Sequence, residues 1–338
     1  MRRRRDEPPR YERPADPAAA VAVVHETPGA VFLAGGTNLV DHLKLGVATP
    51  DLLVDVSHLP LDAVEETADG GIRVGTNVRN SDLAAHPFVR RNYPVLSRAL
   101  LAGASPQLRN TATTGGNLLQ RTRCSYFRDV STPCNKREPG SGCSAIGGYT
   151  RYHAILGASE HCVATHPSDM AVALLALDAE VLVLGPDGER AIAVEDFYRL
   201  PGDTPERDTV LERDDLIVGV QIPAAQSSLS TYRKVRDRAS YAFALVSVAA
   251  EMTVADGTIT GCRIAFGGVA HRPWRAHRAE EALLGQQPSD EVFAAAAEAE
   301  LADASPLDGN AYKIPLLRRT VVATLRELDE RRERGGSA

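Results

Sequence analysis

Four of the five cysteines in this chain, Cys124, Cys134, Cys143 and Cys162, fall within one stretch that has neither a helical nor a strand period. From Asn117 to Cys162, Arg121, Arg123, Arg128, Lys136, Arg137 and Arg151 crowd between Pro133, Pro139, Gly140, Gly142, Gly147 and Gly148. A loop of this length is usually functional or disordered, and four cysteines favour function. Their spacings of ten, nine and nineteen residues are too open for a zinc ribbon, which brings Cys-x-x-Cys pairs. They suit a loop wrapped round a larger object, and four thiolates are the usual complement of an iron–sulfur cluster. The neighbouring cations would offset the negative charge of such a cluster. Two disulfides, or free cysteines without a role, are the alternatives. Cys262 stands in an apolar strand and reads as a small buried hydrophobe.

The loop opens at Thr113-Thr114-Gly115-Gly116-Asn117 and closes on Ala164-Thr165-His166-Pro167-Ser168-Asp169, which leads into an apolar helix. A second glycine turn, Ala34-Gly35-Gly36-Thr37-Asn38, follows the apolar strand Ala30–Leu33 and precedes a short helix from Leu39 to Leu45. Strand, Gly-Gly, then helix is a geometry in which backbone N–H groups face an anion, and glycine lets a phosphate approach the backbone. Taken singly, a Gly-Gly turn is better read as a tight turn without ligand. Neither is a Gly-x-Gly-x-x-Gly nor a Walker loop. Together they offer two sets of donors to the two phosphates of a dinucleotide, with Thr37 and Thr113 hydroxyls beside them. Asp169 is placed either to accept from ribityl or ribose hydroxyls or to serve the helix start, where Ser168 competes. Lys234, Arg236 and Arg238 share one strand face. Without other information that is a solvated charged strand.

The chain is long enough, at 338 residues, for two or three domains. A net charge of −6 and an aromatic content of 5% argue against a nucleic-acid partner. No window approaches the ~18 apolar residues of a membrane span. Met1 to Arg5 resembles the charged start of a secretory signal, but the polar, Pro-rich Asp6 to Pro14 follows it, so no cleaved signal is expected. No Ser/His/Asp triad is arguable, and His153, His161 and His271 read as satisfied or exposed side chains.

Periodicity predicts a helix over Pro17–His25 capped by Asp16 and strands at Asp51–Val56 and Gly71–Gly75. Asn80-Ser81-Asp82 is expected to cap a helix through Ala85, and Tyr93–Ala104 to form another with Val95, Leu96, Ala99 and Leu100 on one face. Glu180–Leu184 and Arg190–Val194 should form a hairpin across Pro186-Asp187-Gly188, with a further strand at Leu216–Ile222. Later come strands at Thr231–Arg236, Tyr241–Met252 and Ile259–Gly267, the last two joined at Asp256-Gly257. Helices are expected over Ala279–Leu284, Glu291–Ala302 and Pro315–Arg332.

Phe32-Leu33-Ala34-Gly35-Gly36-Thr37-Asn38-Leu39 and Thr113-Thr114-Gly115-Gly116-Asn117 resemble the two pyrophosphate loops of the FAD-binding subunits of the xanthine dehydrogenase family. Arg121-Thr122-Arg123-Cys124, Cys134-Asn135-Lys136-Arg137 and Pro139-Gly140-Ser141-Gly142-Cys143 resemble a narrower group, the FAD subunit of bacterial periplasmic aldehyde oxidoreductases, which carries an additional [4Fe–4S] cluster. Lys234-Val235-Arg236-Asp237-Arg238-Ala239-Ser240-Tyr241 is similar to that subunit too. The resemblance implies an α+β fold, with a two-lobed vanillyl-alcohol-oxidase-type FAD-binding domain over residues 1–226 (lobes about 1–60 and 61–226, iron–sulfur loop 118–162). A C-terminal α+β domain with a three-stranded antiparallel sheet and helices would follow over 227–338.

By position it implies that Val31, Phe32, Leu33, Ala34, Gly35, Gly36, Thr37, Asn38, Leu39, Thr113, Gly116 and Asn117 hold the FAD pyrophosphate. His166, Asp169, Ile217 and Lys234 would line the rest of the flavin, and Cys124, Cys134, Cys143 and Cys162 would bind the cluster. It implies as partners a large molybdenum-cofactor subunit, a small subunit with two [2Fe–2S] clusters, and an external electron acceptor. The start of the chain departs from the family's short one, and the compartment expected is cytoplasmic, or periplasmic by export with a partner. A stand-alone flavin oxidase of the same fold, or a non-catalytic zinc or disulfide scaffold, are the competing readings.

Overall fold

The structure is a computed structural model that describes residues 8–227 and 229–335. The basic start Arg2–Arg5 lies outside the described residues, as does Ser228 in the small, polar segment Ala224–Ser230 where a domain boundary is expected. Asp16 caps helix Pro17–Glu26, its carboxylate accepting from the Ala19 amide at 2.8 Å, with Pro17 at the first helical position. Ala20, Val21 and Val24 of that helix bury against a parallel sheet of β1 (Arg10–Glu12), β2 (Ala30–Leu33) and β3 (Leu52–Asp55), in the order β1-β3-β2. No alternation announces β1, whose three residues are exposed. It is held by parallel pairing and by the Tyr11 hydroxyl donating to Asp55.

An antiparallel sheet forms the second layer, in the order β4-β5-β8-β6-β7: β4 (Val64–Glu66), β5 (Ile72–Gly75), β6 (Glu180–Gly185), β7 (Gly188–Ala193) and β8 (Leu216–Ile222). The central strand β8 is apolar nearly throughout because both its faces are covered. The expected hairpin closes between Gly185 and Gly188. Helix Asp169–Ala176 is buried at every position, packed between the helix Pro94–Ala102 and the sheet of the last third. Its all-round apolar character follows from that central place.

That third sheet is antiparallel in the order β12-β11-β10-β9, from β9 (Ser230–Val235), β10 (Val246–Ala255), β11 (Thr258–Gly267) and β12 (Trp274–Arg275). Three strands stand where three were expected, though the second begins at Val246 and not at Tyr241, and the two-residue β12 makes a fourth. Asp256 and Gly257, both with positive φ (50° and 73°), turn β10 into β11. Helices His277–Leu283, Asp290–Leu301 and Lys313–Gly335 close over it, burying Leu283, Phe293, Leu317, Val321, Leu325 and Leu328.

Three local expectations are corrected. Arg79, not the Asn80-Ser81-Asp82 group, occupies the cap before helix Asn80–Ala85 and makes no side-chain cap bond; the Asn80 amide turns instead to Asn117. Tyr93 caps helix Pro94–Ala102, and a separate helix, Pro87–Asn92, precedes it; each starts with Pro at the first helical position. The second glycine turn is a short helix, Thr114–Leu118.

Candidate flavin site and cysteine loop

The two glycine turns, remote in sequence, meet in space. A Cβ on Gly35 would overlap the Thr111 carbonyl oxygen, two residues before the second turn. The Arg121 amide donates to Asn38 Oδ1 at 2.9 Å, tying the end of the first turn to the exit of the second. Gly36 has φ +70°, where an L side chain is strained. Gly46, in the left-handed conformation, ends the helix that follows. Thr113 caps the second turn, its hydroxyl accepting from the Gly116 amide at 3.2 Å. A Cβ on Gly115 would overlap the Thr76 hydroxyl and lie 3.5 Å from Ile217. These two turns therefore require glycine for close packing as well as for any ligand.

The rest of the expected set gathers here. Asn117 accepts from Ser168 Oγ at 2.6 Å and donates to Asn80 Oδ1 at 2.7 Å. Ser168 caps the buried helix through the Ala171 amide. Asp169 stands next to it and is spent on an ion pair with Lys234, at 2.8 Å, and on a hydrogen bond from Tyr232, at 2.5 Å. Lys234 also donates to the Ala102 carbonyl. The charged-strand reading of Lys234 is thus replaced by a buried pair. Ile217 is buried on β8. Residues Val31 to Gly36 are half-buried and Thr37 is exposed, so β2, an edge strand, leads its turn to an open face.

Two buried polar atoms of this region have no partner among the described residues: Asn80 Nδ2 and His166 Nε2. Such atoms are costly unless something answers them. The His166 ring packs 4.5 Å from Tyr198, and burial pushes its pKa down to about 3, so the ring is neutral.

The loop Asn117–Cys162 docks on this site and on the segment around Asp208. Lys136 and Arg121 both pair with Asp208. Burial opposes ionisation of that carboxyl, but the two cations overcome it and hold its pKa below the usual range. Arg137 donates to the Tyr126, Phe127 and Thr132 carbonyls, and Arg128 pairs with Asp41 at 2.7 Å. Most of the loop cations thus serve as struts for irregular backbone. Sequence reading missed Asp208 and His42, which carry no local pattern; His271, expected to be satisfied or exposed, is buried with its Nε2 lacking a hydrogen-bond partner among the described residues. His42 packs edge-on to Phe127 at 5.6 Å.

All four loop cysteines are free, and Cys134 and Cys143 face each other across an isolated antiparallel bridge. Burial pushes the Cys124 and Cys162 thiols up to about 11, and each is raised further by its neighbours, Cys124 by Cys134 and Cys143, Cys162 by Cys143 and Cys124. The four thiols therefore lie within electrostatic range of one another. Among the described residues, however, no three His, Cys, Asp or Glu side chains are grouped so as to hold a metal ion. Cys262 packs against the core of the last third, and burial raises its pKa strongly.

Residues 5–225 match the family described as FAD binding domain in molybdopterin dehydrogenase, and residues 230–327 match the CO dehydrogenase flavoprotein C-terminal domain. The chain is 54% identical over 318 residues to the aldehyde oxidoreductase FAD-binding subunit PaoB of Escherichia coli, covering 94% of this chain and 97% of that one. It is 26% identical to the carbon monoxide dehydrogenase medium chain of Hydrogenophaga pseudoflava, over 89% of both chains. A solved structure of carbon monoxide dehydrogenase from that organism, lacking the Mo-pyranopterin moiety of its cofactor, superimposes with a TM-score of 0.74 over 95% of this chain and 96% of its own. Among the described residues no helix is long and apolar enough to cross a membrane. With a family match over most of its length and a relative of more than half identity, the chain belongs to the FAD-binding subunits of the xanthine dehydrogenase and CO dehydrogenase family and is an oxidoreductase subunit.

Proposed function

We propose that this chain is the electron-output subunit of an aldehyde-oxidising molybdenum hydroxylase of three components. In this reading a large subunit carries the molybdenum cofactor and a small one carries [2Fe–2S] clusters. The observation that carries the flavin part is the meeting of the two glycine turns, with Asn38 on one and the Arg121 amide beyond the other joined by a hydrogen bond. The pyrophosphate of FAD would lie along Val31–Leu39, Thr113, Gly116 and Asn117. His166, Asp169, Ile217 and Lys234 would stand beside the rest, and the unpartnered Asn80 Nδ2 and His166 Nε2 would find acceptors and donors there. Bound FAD supplies a carrier that takes up electrons delivered by partner clusters and gives them to an external acceptor. The chain's own residues bind it, orient it and keep water from it.

The same proposal places a [4Fe–4S] cluster on Cys124, Cys134, Cys143 and Cys162. The donor set fits in kind: four free thiols in one another's electrostatic range are the usual complement of such a cluster. Our domain assignment keeps residues 1–226 for flavin and 227–338 for the C-terminal unit. The compartment follows the partners, cytoplasmic or periplasmic by co-export.

The test is an absorbance spectrum of anaerobically purified protein, with flavin, iron and sulfide assayed on one sample. Flavin bands with a broad iron–sulfur shoulder and about four irons per chain are expected. Gly36→Val should yield flavin-poor protein, and a full flavin complement in that variant would sink the flavin assignment. The chain alone should show no bleaching of flavin by aldehyde; bleaching would favour a stand-alone oxidase.

A further inference from the structure

His153 sits in the cysteine loop but is not one of its four candidate ligands. It is 4% exposed, and its Nε2 lies 3.2 Å from Cys124 Sγ. Its Nδ1 is buried without a partner. Nε2 is the ring nitrogen that faces the sulfur, and a proton there would point at it. The backbone of His153 is clamped from far along the chain: its carbonyl accepts from Lys313 Nζ at 2.9 Å and from Asn310 Nδ2 at 3.1 Å. Lys313 is fully buried and its other contact is the Gly268 carbonyl, at 2.7 Å. Among the described residues no carboxylate pairs with it. Burial lowers its pKa to about 7, with Arg151 adding to the effect. A buried ammonium facing only carbonyls is expensive unless an anion lies nearby.

We infer that His153 and Lys313 are positioning residues for the cysteine-bound cluster, the imidazole donating a hydrogen bond to the Cys124 sulfur and the ammonium supplying a positive charge behind it. This rests on the cluster reading above. Four thiolates with an iron–sulfur core carry net negative charge, and that charge grows by one when an electron enters. No bond forms or breaks in that step. Hydrogen bonds to the sulfurs and nearby charge are the levers by which a protein sets a cluster's reduction potential, and both groups favour the more negative, reduced state.

The experiment is a potentiometric titration of the full chain with dithionite and redox mediators, followed by electron paramagnetic resonance, after iron and sulfide have been assayed. In His153→Leu and in Lys313→Met the reduction equilibrium should move at least tenfold towards the oxidised form, a fall of about 59 mV for one electron. His153→Gln, which keeps an N–H donor, should recover part of that fall. A merely structural role would change iron content or stability but not the potential of the cluster that remains. Unchanged potentials in variants that keep their iron would overturn the inference and leave the cluster reading intact. Parent protein without iron and sulfide would overturn the cluster reading, and this inference with it, before any variant is made. Should one variant fail to retain iron, the other decides, since Lys313 contacts no cysteine directly and His153 reaches the cluster by a different bond.

Discussion

The Lys234 ammonium lies 2.8 Å from one oxygen of Asp169, whose other oxygen accepts from the Tyr232 hydroxyl at 2.5 Å. The Lys234 and Asp169 side chains are 3% and 9% exposed, so water does little to screen them. Removing one partner of such a pair leaves a buried charge unanswered, at a cost of roughly 3–5 kcal/mol. Lys234→Met should lose about that in urea unfolding at neutral pH. Pairing it with Asp169→Leu should recover part of the loss, because two apolar groups replace two charges while the Tyr232 hydroxyl loses its acceptor. A double variant no more stable than Lys234→Met would show that the pair is not the unit that matters.

Acid should destabilise the protein through its buried histidines. Burial lowers the pKa of His42 and of His271 to about 4, neighbouring cations adding to it: Arg123 and Arg121 for His42, Lys136 for His271. The folded state then binds fewer protons than the unfolded one between about pH 6.5 and 4, so stability is lost as pH falls through that window. At 1.36 kcal/mol per unit, each group accounts for roughly 3 kcal/mol. Asp208 acts in a lower window, its depressed pKa contributing stability above the usual carboxylate range that is lost only below it. Chemical unfolding of parent and His271→Gln at pH 7 and pH 4.5 checks this: the variant should have the shallower dependence, and parallel curves would refute the assignment.

The single tryptophan reports on one carboxylate. Glu300 accepts from Trp274 Nε1 at 2.7 Å with one oxygen and from the Arg278 and Ala279 amides, at 2.9 and 3.2 Å, with the other. Glu300→Ala leaves three donors without their acceptor at the start of helix His277–Leu283. Destabilisation of about 2–4 kcal/mol is expected, with a red shift of tryptophan emission as water reaches the indole. Emission identical to that of the parent would mean that the indole N–H had found another acceptor.

Cysteine loop and glycine turns should be separable. In the proposed assignment Cys143→Ser removes one cluster ligand without touching Gly35, Gly36, Gly115 or Gly116. Iron should fall well below that of the parent while the flavin-to-protein ratio stays unchanged. Equal loss of both groups would tie the loop to flavin retention; iron at the parental level would remove Cys143 from the ligand set.

Local chemistry was the part legible in the sequence. Asp16 and Pro17 marked a helix start that the structure reproduces at the same residues, and Asp256-Gly257 marked the turn between two long strands. Each glycine turn was visible, and so was the short helix Leu39–Leu45 after the first. What could not be read was which distant residues would meet. Lys234 looked like one of three cations on a solvated strand, and only its partner Asp169, 65 residues earlier, explains its burial. Asp208 stood in an unremarked loop, yet it receives both Lys136 and Arg121. Pairings across such separations leave no period and no spacing, because each half is stabilised by the other and not by its sequence neighbours. β1 was missed for the same reason: its residues are exposed and polar, and its only claim to be a strand is the backbone of β3 alongside.

The clamp on His153 has a consequence for how the protein is made. Its carbonyl is held by Lys313, 160 residues later. Chains emerge from the ribosome N-terminal end first, at ≈ 5–20 residues per second, so every loop cysteine is made some seconds before the residues of this clamp exist. The last of the loop's contacts to form is therefore made only when the chain is nearly complete, well after those to Asp41 and Asp208.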